Sequence, residues 1–208
     1  MNPGWPATLV SDRVTLRPYR RADAVEWSAV RRANESWLAH WEPTANTTWS
    51  AANSPAGFRA LYREFRRSAR VGSTWPFAVC YDDRVVGGMT VGNIVRRALC
   101  SAHVGYWIDE GHAGLGITPT ALALVCDHAF TAGRLHRIGV DIQPHNRPSM
   151  RVVEKLGFRV ESHFKSYLYI NGDWRDHVGY AMTVEDVPPG GVLAHWTQQR
   201  RAAADQTP

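Results

Sequence analysis

The stretch Gly111-His112-Ala113-Gly114-Leu115-Gly116-Ile117-Thr118-Pro119-Thr120 separates a strand-like run, His103 to Ile108, from a helix-like run, Ala121 to Phe130. A glycine turn that leads from a strand into a helix sets up a helical crossover, and it is also a natural anion site. Backbone N–H groups converge there, and the positive end of the helix dipole faces the same way. Thr118 is expected to cap the helix. Pro119 suits its first turn, where a missing N–H costs nothing. The expected ligand is a phosphate or a pyrophosphate.

Periodicity places this loop within a larger pattern. Arg13 to Pro18 alternates apolar and polar residues and reads as an opening strand that ends at the proline. Arg20 to Asn34 reads as a helix. Trp37 to Asn53 is irregular and holds Trp37, Trp41 and Trp49 among Pro, Asn, Thr and Ser. Ser54-Pro55 starts a second helix, which runs to about Arg70. Strands follow over Phe77–Tyr81, Arg84–Val91 and Ala102–Ile108. Beyond the loop come a helix over Thr120–Thr131, a strand over His136–Ile142 and a short helix over Asn146–Leu156. That helix has Pro148 in its first turn and Gly157 at its expected C-terminal stop. Two strands, roughly Phe158–Ile170 and Trp174–Val184, flank Asn171-Gly172, the dipeptide of a two-residue hairpin. The order predicts a mixed α/β sheet, with long antiparallel hairpins beside one crossover, rather than a doubly wound parallel sheet. One domain is expected over residues 1–187. Residues 188–208 form a C-terminal tail, either a short helix around Leu193 to Ala203 or disordered.

Composition narrows the class. The 208 residues are 44 % hydrophobic and 21 % charged, ordinary for a globular domain. No apolar run reaches the ~18 residues that span a membrane. The start lacks a basic segment followed by an apolar one, so no signal peptide is expected and the cytoplasm is the predicted location. Cys80, Cys100 and Cys126 are widely spaced and form no Cys-x-x-Cys pair, which predicts neither a disulfide framework nor a metal site. The net charge is +5, with much of the excess among arginines of the first seventy residues. For most of them a solvated helix face is the expected setting. No zinc-finger, helix-turn-helix or RNA-recognition signature accompanies them, so direct nucleic-acid binding is not expected.

The loop excludes two nucleotide readings. A dinucleotide site would follow the first strand of a repeated βαβ unit, and Gly114-x-Gly116 does not complete its glycine pattern. A P-loop would end in Gly-Lys-Ser/Thr. Over about Val14 to Glu185 the chain instead resembles the GNAT acyltransferases that use acetyl-coenzyme A. It is most similar to the branch that acetylates the N-terminal alanine or serine of ribosomal proteins. Three segments carry the resemblance. They are Gly105-Tyr106-Trp107-Ile108 with Ala113 to Thr118, Pro144-His145-Asn146-Arg147-Pro148-Ser149 with Val153 to Phe158, and Tyr169 to His177.

The resemblance implies a sheet splayed between the strand ending at Ile108 and the strand ending at Ile142, with the pantetheine arm of acetyl-coenzyme A in the gap. It implies pyrophosphate binding by the backbone of Gly114, Leu115, Gly116, Ile117 and Thr118, and pantetheine pairing near Trp107 and Ile108. Asn146 resembles the residue that contacts the pantetheine, and Ser149 the one beside the sulfur. The family loop usually begins with Arg or Gln and ends in Gly or Ala, where this chain has Ala113 and Thr118. Ser149 is the candidate donor to the leaving thiolate; its alternative is a plain first-turn residue. Glu42 is the candidate base, with Glu35 and His103 as rivals. Trp41 and Tyr167 are assigned to the acceptor site, and Trp37 to packing between the first two helices. Asp176 and His177 are adjacent on a strand and point to opposite faces, so Asp176 is expected to tie the Asn171 turn instead. The resemblance implies a protein N-terminus as the acceptor, that of a ribosomal protein. A small amine, or a non-catalytic acyl-coenzyme A module, stands as the alternative, and a monomer or homodimer is expected.

Overall fold

The computed structural model describes residues 3–205. The first two residues, where the start of the chain was read for a leader, and the last three of the tail lie outside that range.

Eight strands form one sheet in the order β1-β2-β3-β4-β5-β6-β8-β7. They are β1 (Leu9–Ser11), β2 (Val14–Pro18), β3 (Trp75–Tyr81), β4 (Arg84–Val95), β5 (Ser101–Ile108), β6 (Arg137–Ile142), β7 (Arg159–Ile170) and β8 (Asp173–Thr183). Every neighbouring pair is antiparallel except β5 and β6. This is the mixed, mostly antiparallel sheet that the sequence predicts. Only β1 was not expected, because three residues are too few to show a period.

The helices are α1 (Ala24–Ala33), α2 (Glu35–Leu38), α3 (Trp49–Ala52), α4 (Pro55–Val71), α5 (Ile117–Phe130), α6 (Arg147–Lys155) and α7 (Val192–Asp205). Helix α3, and the second half of α2, fall in the segment Trp37 to Asn53, expected to be irregular. Ser54 caps α4 by accepting from Gly57 N–H, and Gly72 ends it at φ +82°. The hairpin between β7 and β8 turns through Asn171 and Gly172, both at positive φ.

The helices cover both faces of the sheet. Alternate residues of the strands, such as Phe77, Met89, Val104 and Val140, pack with α5, α6 and α7 in the larger core. On the opposite face Tyr19, Trp27, Phe58, Ala78 and Val85 join α1 and α4 in a smaller one. Helix α5 crosses from β5 to β6 and is apolar nearly all round, as a helix enclosed by the sheet and α7 must be.

The tail residues fold into α7 and lie against α5. Asp127 receives Val192 N–H at 2.8 Å and Leu193 N–H at 3.1 Å, which satisfies the start of that helix. Val192 and Trp196 are buried. Each contributes about 1.5–3 kcal/mol by burial alone.

Candidate active site

The site begins where β5 and β6 part. Their ladder holds at Ser101–Arg137, Ala102–Ile138 and His103–Gly139 and then ends. β5 runs on to Ile108 with β4 on one side only. The second half of β5 therefore turns unpaired backbone groups towards the gap, a polar edge that needs a partner. A cavity of about 480 Å³ fills the gap and reaches both faces of the sheet. Gly88, Thr90, Gly105 and Trp107 line it on the α1 face, and Ala113, Gly114 and Gly116 to Pro119 with Asn146 and Ser149 line it on the other; Leu115, expected with them, points to solvent.

The glycine loop closes one end. Gly114 (φ +81°) and Gly116 (φ +79°) are both left-handed, a conformation that other residues enter at a cost. Gly116 itself is the residue before the first turn of α5, and no side chain caps that turn. Thr118 does not cap the helix as expected. The helix starts at Ile117, which puts Thr118 inside the first turn with its hydroxyl past the orphan donors. The N–H groups of the first turn consequently stay available to a ligand. Ile117 is buried, so only its backbone can serve one. The cradle, the unpaired β5 edge and the cations nearby, Arg151 and Lys155, fit a phosphorylated thioester carrier.

α6 supplies the wall opposite β5. Asn146 Oδ1 accepts from Ser149 N–H at 3.2 Å and caps the helix, so its oxygen is committed to the fold. Ser149 Oγ lies 2.8 Å from Tyr106 Oη, and that phenol also donates to the Ser149 carbonyl at 3.2 Å. Burial pushes the Tyr106 phenol well up from its ordinary value, with the Ser149 hydrogen bond opposing. Tyr106 therefore stays a neutral donor at working pH. The sequence reading missed this tyrosine, although it stands in the same segment as Trp107.

On the α1 face the wall is a network of side chains. Arg31 is buried, with its Nη2 2.6 Å from Glu42 Oε2, its Nη1 paired to Oε1, and its Nε 2.9 Å from Asn53 Oδ1. Its guanidinium also lies over Trp49 (4.7 Å), Trp107 (5.0 Å) and Trp27 (5.6 Å). Glu42 borders the cavity, yet both of its oxygens are held by that fork, and a proton on either would break it. Its position is a clamp's. Trp41 and Trp37 line the cavity. Trp37 does not plug the two helices as expected; its Nε1 donates to Ile108 O at 3.1 Å. Glu35 is exposed and does not line the cavity. The segment carrying Trp41 is stitched to the β7–β8 hairpin, where Gly172 N–H donates to Thr44 Oγ1 at 2.7 Å and Thr44 N–H to Tyr169 O at 3.1 Å.

His103 stands at the last β5–β6 pair, where the gap begins, and like Glu35 it is not among the residues that line the cavity. It shares the α1 face of β5 with Gly105 and Trp107, while Ala102, Val104 and Tyr106 face the larger core. Its ring lies across β6 in the space that a side chain at Gly139 would fill, since a Cβ there would come within 3.0 Å of the ring. Across that gap His103 Nδ1 is 2.9 Å from Asp141 Oδ2. The carboxylate only accepts, so Nδ1 bears the hydrogen and Nε2 of the neutral ring keeps a lone pair. Tyr167 does not line the cavity. Its phenol reaches Asp141 Oδ2 at 3.5 Å, and its ring stacks on Phe164 at 4.5 Å. Asp176 ties the bulge at Ser166 (N–H donor at 2.9 Å) and Lys165, not the Asn171 turn, while His177 is buried on the other side of its strand.

Comparison with known proteins agrees with this geometry. The family model described as an acetyltransferase (GNAT) domain matches residues 13–159. The chain is 32% identical to a probable N-acetyltransferase, YjcK, of Bacillus subtilis (strain 168), over 81% of this chain and 93% of that one. It is 30% identical to the [ribosomal protein uS5]-alanine N-acetyltransferase of Escherichia coli (strain K12), over 88% and 93%. The structure of Mycobacterium smegmatis RimJ in complex with CoA-disulfide superposes with a TM-score of 0.94 at 38% identity, covering 97% and 98% of the two chains. No described helix is long and apolar enough to cross a membrane. The chain thus belongs to the GNAT acetyltransferase family, in its ribosomal-protein branch, and is an acetyl-coenzyme A-dependent N-acetyltransferase.

Proposed function

We propose that this enzyme acetylates the N-terminal amine of a protein, with the end of a ribosomal protein as the acceptor. The observation that carries the reading is the cavity, which passes through the sheet from the glycine loop to Gly88, Thr90 and Gly105 on the α1 face. On that face a Cβ at Gly105 or at Gly92 would meet nothing within 4 Å, so an open trough runs along β4 and β5 past His103. An extended chain end fits a trough better than a compact amine does. The acceptor of the uS5-alanine relative supports the same class.

Acetyl-coenzyme A supplies an activated acyl thioester. Gly114 to Thr118 hold its pyrophosphate through backbone N–H groups, Trp107 and Ile108 pair with the pantetheine, and Asn146 sits beside that arm. His103 Nε2 takes the proton from the incoming ammonium, and Asp141 keeps the ring in the required tautomer. Ser149, backed by the Tyr106 phenol, donates to the sulfur as it leaves. Trp41 walls the acceptor, and Tyr167 fixes Asp141 from the far side. Glu42 contributes by holding the Trp41 segment against Arg31.

The test mixes the protein with acetyl-coenzyme A and peptides that begin with Ala or Ser, and follows free thiol together with the peptide mass. Acetylated peptide is expected. Thiol release with polyamines or amino acids, and none with any peptide, would move the acceptor to a small amine.

A further inference from the structure

We infer that the C-terminal helix α7 is part of the coenzyme A site, with Arg200 pairing to the pyrophosphate at the glycine loop. This rests on the cofactor placement proposed above. The loop offers backbone donors but little charge. Ala113 has no polar side chain, and Pro119, in the first turn of α5, has no N–H. A pyrophosphate brings two negative charges to that spot, which dipoles alone balance only in part.

Two independent contacts bring α7 to the loop. The first is a relay of hydrogen bonds. Trp196 Nε1 donates to Thr120 Oγ1 at 2.9 Å, and Thr120 Oγ1 donates to Gly116 O at 2.8 Å. The buried indole is thereby joined to the carbonyl of the residue that opens α5. The second is Arg200, one turn further along α7. A Cβ built at Gly116 would lie 3.1 Å from Arg200 Cζ and 3.4 Å from Nη1, so the guanidinium rests against the loop backbone.

The charge there is uncompensated. Lys155 Nζ and Arg200 Cζ lie 5.7 and 5.8 Å from the Trp196 ring. Among the described residues no carboxylate pairs with Arg200, Lys155 or Arg151. Cations without a carboxylate partner beside open N–H groups suit a polyanion, and a guanidinium offers a fork that matches phosphate oxygens. Arg200 also sits against the backbone of Gly116, where any side chain would push it away.

Calorimetry on the full chain tests this, with coenzyme A, 3′-dephospho-coenzyme A and pantetheine as ligands. Arg200→Ala is expected to weaken coenzyme A and dephospho-coenzyme A alike, by about fivefold to tenfold, and to leave the weak binding of pantetheine unaltered. Arg201→Ala, at the next position round the helix and lining a separate hollow with Thr197 and Gln198, is expected to keep wild-type affinity. Loss confined to coenzyme A would shift the contact to the 3′-phosphate and overturn the pyrophosphate assignment. Equal loss in Arg201→Ala, or none in Arg200→Ala, would overturn the role of Arg200 altogether while wild-type binding still upheld the cofactor site. Wild-type protein that bound neither phosphorylated ligand would instead remove the cofactor placement itself.

Discussion

The two ends of the cavity are built from different materials. At the end we assign to the cofactor most of the contacts come from main chain, with left-handed Gly114 and Gly116, the first turn of α5 and the open edge of β5, joined by the side chains of Ser149 and Arg200. At the acceptor end they come from side chains, with Arg31 forked to Glu42 among three tryptophans and His103 laid across Gly139 onto Asp141. A backbone cradle tolerates changes of side chain and depends on φ and ψ. A side-chain network depends on every member, because removing one leaves its buried partners unsatisfied. Mutations should therefore divide along this line, with steep losses at the acceptor end and shallow ones at the cofactor end.

The largest effect is expected at Arg31. Arg31→Ala strands Glu42 and Asn53 and empties the space between Trp49 and Trp107, and loss of one partner of such a pair removes about 3–5 kcal/mol. Urea unfolding gives the number; a loss below about 1 kcal/mol would mean the network is not what holds the Trp41 segment. Next comes His103→Ala, expected to lower kcat/KM for peptide by about 10²-fold or more, with coenzyme A affinity retained. Near-wild-type turnover would return the base to some other group. Gly139→Ala should mimic it in part and lower kcat/KM for peptide, since the added Cβ meets the ring.

Smaller effects belong to the cofactor end. Ser149→Ala is expected to lower kcat about tenfold, one charge-assisted hydrogen bond, while KM for acetyl-coenzyme A moves by less than about threefold. An unchanged kcat would leave Ser149 as only the residue that closes the α6 cap. Smallest is Gly114→Ala. Nothing crowds a Cβ there, so the penalty is the left-handed φ alone, about 1 kcal/mol, or a few-fold in KM for acetyl-coenzyme A. A hundredfold loss at Gly114 would erase the contrast between the two ends.

Much of this frame was legible in the chain. Alternation at Arg137 to Ile142, Asn171-Gly172 between two strand-like runs, Ser54-Pro55 before an apolar stripe, and Gly157 after a short helix each encode local geometry through dihedral limits and periodicity. The glycine turn before α5 was legible for the same reason. Arg31 was not, because among so many arginines a buried one carries no local mark; only packing of α1 against the Trp41 segment takes it from water. The pairing of Glu42 with Arg31 follows from that one event. Trp37 likewise turned from helix packing to a donor on Ile108 O, since α2 places it at the end of β5.

By itself, then, the sequence determined what depends on neighbours along the chain: the strands and helices, their caps and turns, and a glycine cradle at the start of a crossover helix. The tertiary structure decided what depends on residues far apart. It put His103 over Gly139 and beside Asp141, forked Arg31 to Glu42, and returned the tail so that Trp196 and Arg200 reach Gly116. Dihedral preference and hydrophobic period act over a few residues and can be read in order. Ion pairs and shared cavities form only after the sheet has closed the distance, so their partners bear no fixed spacing in the chain.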